Sequence, residues 1–91
     1  YLPENFKLYQ NYPNPFNPIT TISFDLKQGS EVMLSIYDIK GNMISENDFG
    51  YLNPGLFNYV LDANDFTSGV YIYSIATSSG FTAYKQMILI K

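Results

Sequence analysis

The sequence predicts an all-β domain, specifically an immunoglobulin-like antiparallel β-sandwich of about seven strands. Short segments rich in β-branched and aromatic residues recur about every ten residues along the 91-residue chain, as expected for such a sandwich. Clusters of Gly, Pro, Asn and Ser separate these segments, and no segment has the 3.6-residue period of an amphipathic helix. A small antiparallel barrel is the alternative architecture.

A proline-rich segment, residues 11–18, precedes the first long strand and is called the strap below. Its sequence is Asn-Tyr-Pro-Asn-Pro-Phe-Asn-Pro. Each proline fixes φ, lacks a backbone donor and favours extended geometry in the residue before it, which excludes a helix or a central strand. We expect the rings of Tyr12 and Phe16 to hold the strap against the domain. Residues 1–7 are expected to be the end of a linker, and residues 8–91 to form the domain.

The first half of the domain alternates clearly between apolar and polar residues. Residues 20–26 and 31–38 are predicted strands, and the second should place Val32, Leu34 and Ile36 in the core. Residues 27–30 form a predicted turn in which Gly29 supplies a positive φ. Residues 38–42 form a predicted hairpin loop in which Gly41 occupies the left-handed position.

The second half begins with a weak strand at residues 43–49, whose polar residues on both faces indicate a sheet edge. Residues 56–62 should follow with the Phe57 face inward. Residues 62–69 contain capping residues and one aromatic, Phe66, and predict a single helical turn anchored by that ring. Two strands apolar on both faces complete the chain: 70–76, a central strand, and 81–91, the last strand.

The sequence Gly69-Val70-Tyr71-Ile72-Tyr73 suggests a tyrosine corner. In immunoglobulin-like sandwiches, a tyrosine near the start of a late strand bonds back to the preceding loop, two residues before a core position. Tyr71 would be this tyrosine, and Tyr73 would occupy the core position.

Composition argues against several function classes. The chain lacks His and Cys, which leaves carboxylates and lysines as catalytic groups. Five of its acids lie at strand ends or in loops, where turn formation and capping account for them: Glu31, Asp38, Asp48, Asp62 and Asp65. We therefore expect no enzyme, metal site or cofactor. Asp62-Ala63-Asn64-Asp65 begins like a calcium loop, but Thr67 and Tyr73 replace the loop's glycine and closing glutamate. The net charge of −3, with lysine as the sole cation type, argues against nucleic acid. No apolar run is long enough for a membrane span.

Taken together, these motifs resemble the C-terminal sorting domain, type A, of the type IX (Por) secretion system of Bacteroidetes. The resemblance covers residues 8–91. It rests on the following segments: Leu8 to Pro18, Thr21 to Phe24, Val32 to Asp38 with Gly41, Gly55, Ser68 to Tyr71, and Lys85 to Lys91.

This resemblance implies a non-catalytic secretion signal with an immunoglobulin-like fold, attached to an N-terminal cargo domain. Such a domain passes through the periplasm, is recognised by the outer-membrane type IX translocon, and is commonly removed by a sortase-like peptidase. Its cargo is then secreted or attached to the cell surface. The motif residues expected to take part in recognition or in the fold are Pro13, Pro15, Phe16, Pro18, Gly41, Gly69, Tyr71, Lys85 and Lys91.

The last strand departs from the family pattern at one position. A lysine often directly precedes its apolar run, whereas this chain has Gln86 there and Lys85 one step earlier, on the other face of the strand. We expect the last strand to lie at a sheet edge, where its free backbone could pair with a strand of the translocon. The alternatives are a structural spacer and a carbohydrate-binding module, for which Tyr9, Tyr51 and Tyr84 are the candidate exposed rings.

Overall fold

Two antiparallel sheets face each other in the computed structural model, which describes residues 1–91. The order of strands is β1-β2-β5 in the three-stranded sheet and β4-β3-β6-β7 in the four-stranded sheet. This pairing is the immunoglobulin arrangement, with β4 beside β3. The predicted sandwich is therefore confirmed. The strands are β1 (Lys7–Leu8), β2 (Ile19–Leu26), β3 (Ser30–Asp38), β4 (Met43–Leu52), β5 (Gly55–Asp62), β6 (Gly69–Thr77) and β7 (Thr82–Leu89).

Alternating side chains build the core between the sheets. Val32, Leu34 and Ile36 of β3 are fully buried, as their spacing predicts. On β5, Phe57 packs against the core, which confirms the predicted inward face. Truncating a fully buried side chain such as Leu34 to alanine is expected to cost about 2–5 kcal/mol, because the cavity left behind collapses only partly.

Aromatic stacking joins the two sheets beside this core. The rings of Phe24, Phe49 and Phe57 stack at centroid distances of 5.6–6.0 Å, and Tyr59 meets Phe49 edge-on at 5.4 Å. Phe49 belongs to β4, which lies at an edge as predicted but extends to Leu52 instead of ending at residue 49. An edge strand with many polar residues thus still contributes one ring to the interior.

The first strand was not predicted. Lys7 and Leu8 pair with Asp25 and Phe24 of β2, and Leu8 is buried. The residues before β1 also contact the domain, since the ring of Phe6 stacks on that of Phe81 at 5.2 Å. A domain boundary after residue 7 stays a prediction.

Two glycines show how loop predictions succeed and fail. Gly41 has a φ of 89°, and its amide donates to the carbonyl of Asp38, so the predicted hairpin loop is confirmed. The Asp38 carboxylate accepts the backbone amides of Asn42 and Lys40, and these bonds lower its pKa. Gly29 is different, because its φ is not positive; a Cβ there would meet the Tyr51 hydroxyl at 1.9 Å. Its missing side chain makes room for Tyr51, and the predicted positive φ is wrong.

The loop before β6 contains no helix. The amide of Phe66 donates to the carbonyl of Ala63, which closes a four-residue turn where a single helical turn was predicted. Phe66 nevertheless packs against the core. The structure has no helix long and apolar enough to cross a bilayer.

Candidate functional site

The strap connects the two sheets at one edge of the sandwich. Its first half follows the three-stranded sheet, where Tyr12 bridges to Thr21 of β2 through both backbone groups. Its second half lies beside the four-stranded sheet, where Phe16 forms a parallel bridge to Leu89 of β7. The peptide bonds before Pro13, Pro15 and Pro18 are cis.

The strap occupies the outer edge of the last strand. The Phe16 amide donates to the Ile88 carbonyl at 2.9 Å, and the Ile90 amide donates to the Phe16 carbonyl at 3.0 Å. Between them, the Ile88 amide donates to Oδ1 of Asn14 at 2.9 Å. The C-terminal half of this edge is therefore already hydrogen-bonded.

The remaining part of the β7 edge is short. Nε2 of Gln10 donates to the Gln86 carbonyl at 2.6 Å, which covers one more group. Because ladder groups alternate in direction along a strand, the groups of Thr82 and Tyr84 point outward as those of Ile88 do. The prediction that β7 lies at an edge is confirmed. Its backbone, however, is open to a partner strand only over residues 82–86, and not along the whole strand.

The two aromatic residues of the strap have opposite environments. Phe16 is 3% exposed and belongs to the core, as predicted. Tyr12 is 81% exposed, so the prediction that its ring clamps the strap is wrong. At Tyr12 the backbone pairing with β2 holds the chain, which leaves the ring in solvent.

A buried hydroxyl that the sequence did not point to holds the start of the strap. Tyr73 is fully buried; its hydroxyl donates to the Tyr9 carbonyl at 2.7 Å and accepts the Asn11 amide at 2.8 Å. Burial raises the pKa of this phenol to about 12, so it stays a neutral donor at physiological pH. The prediction that Tyr73 takes a core position is correct. The hydrogen bonds of its hydroxyl were not predicted, because its position along the strand indicates only which way the ring points.

Asn11 completes the attachment of the strap. Its side chain is 2% exposed, and Nδ2 donates to the Pro13 carbonyl and to Oγ1 of Thr20 at 3.1 and 3.0 Å. Thr20 Oγ1 in turn donates to the same Pro13 carbonyl at 2.8 Å. Buried polar groups require such partners, so this network fixes the position of Pro13, the first proline of the strap.

The tyrosine corner has the predicted geometry. The hydroxyl of Tyr71 donates to the Thr67 carbonyl at 2.6 Å, and its ring packs on Phe66 at 5.3 Å. Gly69, at the start of the same strand, has a φ of 158°, and a Cβ there would meet no heavy atom within 4 Å. The space around it is therefore open, but L side chains rarely adopt this φ, so the backbone conformation favours glycine at that position.

The two lysines of the last strand lie in different places. Lys91 is bound to the loop before β6: its amide donates to Oγ of Ser68 at 2.9 Å and its Nζ donates to the Asn64 carbonyl. Lys85 pairs with Tyr73 in mid-strand and is half-buried on the inner face, whereas Gln86 is exposed. The two positions thus face opposite ways, as the sequence indicated.

Eight of the nine predicted motif residues lie at one end of the sandwich, called the strap end below. Asp38 of β3 pairs with Tyr71 of β6, which puts the loop of Gly41 at this end. Gly69 pairs with Leu89, which adds the end of β7 and the strap that bridges to it. Lys85 is the exception. The strap end comprises Pro13, Pro15, Phe16, Pro18, Gly41, Gly69, Tyr71 and Lys91.

The candidate sugar-binding tyrosines do not form one platform. The Tyr9 hydroxyl donates to Oδ2 of the buried Asp25 at 2.6 Å, and chiefly this bond raises the Tyr9 pKa to about 12. Tyr51 and Tyr84 are 66% and 76% exposed. They lie on β4 and β7, the two edges of the four-stranded sheet, so three strand spacings, or about 14 Å, separate them. These rings cannot stack on one sugar.

The structure holds no group of three or more His, Cys, Asp or Glu side chains that could bind a metal ion. Comparison with known families gives one result that covers most of the chain: the family model described as a secretion system C-terminal sorting domain matches residues 10–91. Comparison with the curated proteins finds no match.

Proposed function

Because the chain belongs to the type IX secretion C-terminal sorting domain family, it is a sorting signal, and we propose that it carries an N-terminal cargo through the outer-membrane translocon. In this proposal the fusion crosses the periplasm, the translocon binds the folded domain, and a sortase-like peptidase then removes the domain. The family itself is non-catalytic and implies export toward the cell surface or the medium.

The observation that supports this proposal is the clustering of the motif residues at the strap end. The side chains of Pro13 and Pro15 in the strap, and of Lys91 at the end of the last strand, are exposed there. Phe16 and Tyr71 are buried beneath them and hold the strap and the preceding loop in place. A partner that binds this end would contact residues from both termini of the domain at once.

Export of a reporter tests the proposal. A fluorescent protein carrying a periplasmic signal is fused to the N-terminus of the whole chain and expressed in a bacterium with a type IX system and in its translocon-deletion strain. We expect reporter outside the wild-type cells and in the periplasm of the deletion strain. Equal export from both strains would contradict the proposal.

The mass of the exported reporter tests the peptidase step separately. Removal of the domain would shorten the secreted fusion by close to the 10.4 kDa of this chain. A secreted fusion of full mass in a strain with an active sortase-like peptidase would contradict the proposed removal, while leaving the export signal intact.

A further inference from the structure

The outer face of the four-stranded sheet carries a continuous apolar surface. Met43, Tyr37 and Ile72 lie side by side on β4, β3 and β6, because the ladder pairs Tyr37 with both of the others. Val70, two residues before Ile72 on β6, pairs with Ile88 of β7, whereas Ile72 itself pairs with Gln86. Paired residues of an antiparallel ladder point to the same face, and the intervening residues of β3 are in the core, so these five side chains face outward. They are called the apolar row below.

The outer face of the other sheet has a different pattern. Its exposed apolar residues each pair with a polar one: Leu56 with Asp25, Val60 with Thr21, and Ile19 with Asp62. Apolar side chains therefore do not adjoin each other across that ladder. Scattered exposed apolar residues are normal, whereas a row that crosses four strands marks an interaction surface.

The charged residues on the strands of this outer face are all acidic. Glu46, Asp48 and Glu31 lie on the same outer face, since they pair with or belong to outward positions of β3. No lysine lies on a strand position of this face: Lys85 points inward and Lys7 lies on the other sheet. Lys40 lies in the hairpin loop beside Met43, and Lys27 and Lys91 lie in the turn before β3 and at the C-terminus. A partner with apolar side chains flanked by lysine or arginine would be complementary to it.

A second copy of the chain would not be complementary. Two such faces packed together would bring six carboxylates together, with no lysine on the strands of either face. The area also argues against a stable dimer: four strands about 4.8 Å apart and nine residues at about 3.3 Å span roughly 600 Å² per partner, the size of a transient contact. A secretion signal needs such a contact, because its partner must release it.

We propose that the apolar row and its acidic border form the docking surface for a basic, apolar patch on the secretion machinery. This inference rests on the proposed function and names the surface and the chemistry of the partner. The N-terminal segment leaves the face clear, because it lies against the other sheet, where Tyr1 approaches Asp25. An attached cargo and a docked partner can thus occupy opposite faces.

Two matched pairs of apolar variants test the surface in the reporter fusion. Met43→Thr/Ile88→Thr removes exposed apolar groups from the row at strand positions that threonine tolerates. The control Leu56→Thr/Val60→Thr makes the same chemical change at comparably exposed positions of the other sheet. We expect at least a tenfold loss of export for the first pair and less than a twofold change for the control, with all variants unfolding within a few degrees of wild type.

A second comparison tests the charge of the partner. Glu46→Lys and Glu4→Lys change the net charge equally, but only Glu46 lies beside the row, because it pairs with Ser35, two residues before Tyr37. We expect Glu46→Lys alone to lose export at least tenfold. Normal export of Glu46→Lys would overturn a basic partner.

Photocrosslinking adds a readout of contact. A benzophenone amino acid at Gln86, on the outer face of β7, should crosslink to an outer-membrane translocon protein during export, and the same group at Val60 should not. Equal crosslinking from both positions, or equal export of the two apolar pairs, would overturn the docking surface. If the wild-type fusion itself is not exported, the proposed function fails instead.

Discussion

The Tyr73 hydroxyl should be the polar group on which the strap depends most. Tyr73→Phe keeps the buried ring but removes the donor to the Tyr9 carbonyl and the acceptor for the Asn11 amide, at 2.7 and 2.8 Å. Each buried polar group left without a partner costs about 1–3 kcal/mol, so we expect a loss of about 2–4 kcal/mol. A domain of this size has a free energy of unfolding of only about 5–14 kcal/mol.

Urea and thermal unfolding measure this loss directly. For a domain of this length, 1 kcal/mol shifts Tm by about 4–8 °C, so Tyr73→Phe should lower Tm by about 10–25 °C. Tyr84→Phe is the control, because it removes the same atom from a side chain that is 76% exposed on the neighbouring strand. Hydrogen exchange at the Asn11 amide should also become faster in Tyr73→Phe alone.

Equal stability of Tyr73→Phe and Tyr84→Phe would refute this role of the Tyr73 hydroxyl. A free energy of unfolding within 0.5 kcal/mol of wild type for Tyr73→Phe would show that water replaces the hydroxyl at little cost. Unchanged exchange at Asn11 would show that the strap is held by other contacts.

Three further perturbations test the strap end and its titrating groups. Phe16→Ala should cost about 3–5 kcal/mol by emptying a buried site, and exchange at the Ile90 amide should rise; protection of that amide as in wild type would contradict the strap pairing. Tyr71→Phe should lower the free energy of unfolding in urea by only about 1 kcal/mol, because it removes one hydrogen bond to the preceding loop and keeps the ring. A loss above about 3 kcal/mol would show that the hydroxyl stabilises the domain by more than this one bond. The folded pKa values of Tyr9 and Tyr73 are both raised to about 12 from 10.0. Above pH 10 the unfolded chain releases protons that the folded chain retains, so stability should fall between pH 10 and 12 and be independent of these groups below pH 10. Tyr9→Phe should make this fall in stability shallower than in wild type. Curves of stability against pH with the same slope for both proteins would refute a contribution of Tyr9 to the fall.

Local pattern predicted most of the fold. The alternation of apolar and polar residues predicted Val32, Leu34 and Ile36 to lie in the core, because successive side chains of a strand point to opposite faces. The hairpin at Gly41 followed from the requirement of its turn for a positive φ. Such features involve residues close in sequence, so a single segment contains all the information they need.

Apart from the helical turn wrongly predicted before β6, the missed features depend on contacts between distant residues. Phe16 pairs with a strand more than seventy residues away, and nothing in the strap indicates which of its two rings will face that strand. Gly29 does not have a positive φ. A side chain is excluded there because Tyr51 lies over the position, and rules based on turn type do not include such a distant contact. For the same reason the hydrogen bonds of Tyr73 to the strap could not be inferred from its strand.

The strap contains buried residues, which can act only through the fold, and exposed residues, which a partner can contact directly. A partner cannot touch Phe16 or Asn11 in the folded domain, so substitutions there must act through the fold. Pro13 and Pro15 are exposed beside them and are available to a partner directly. The exposed residues are held in place by contacts that reach Tyr73 and Ile88, close to the C-terminus. The surface displayed at the strap end therefore exists only when the last strand is folded onto the sheet, and a translocon that binds this surface would select completed domains over partly folded ones.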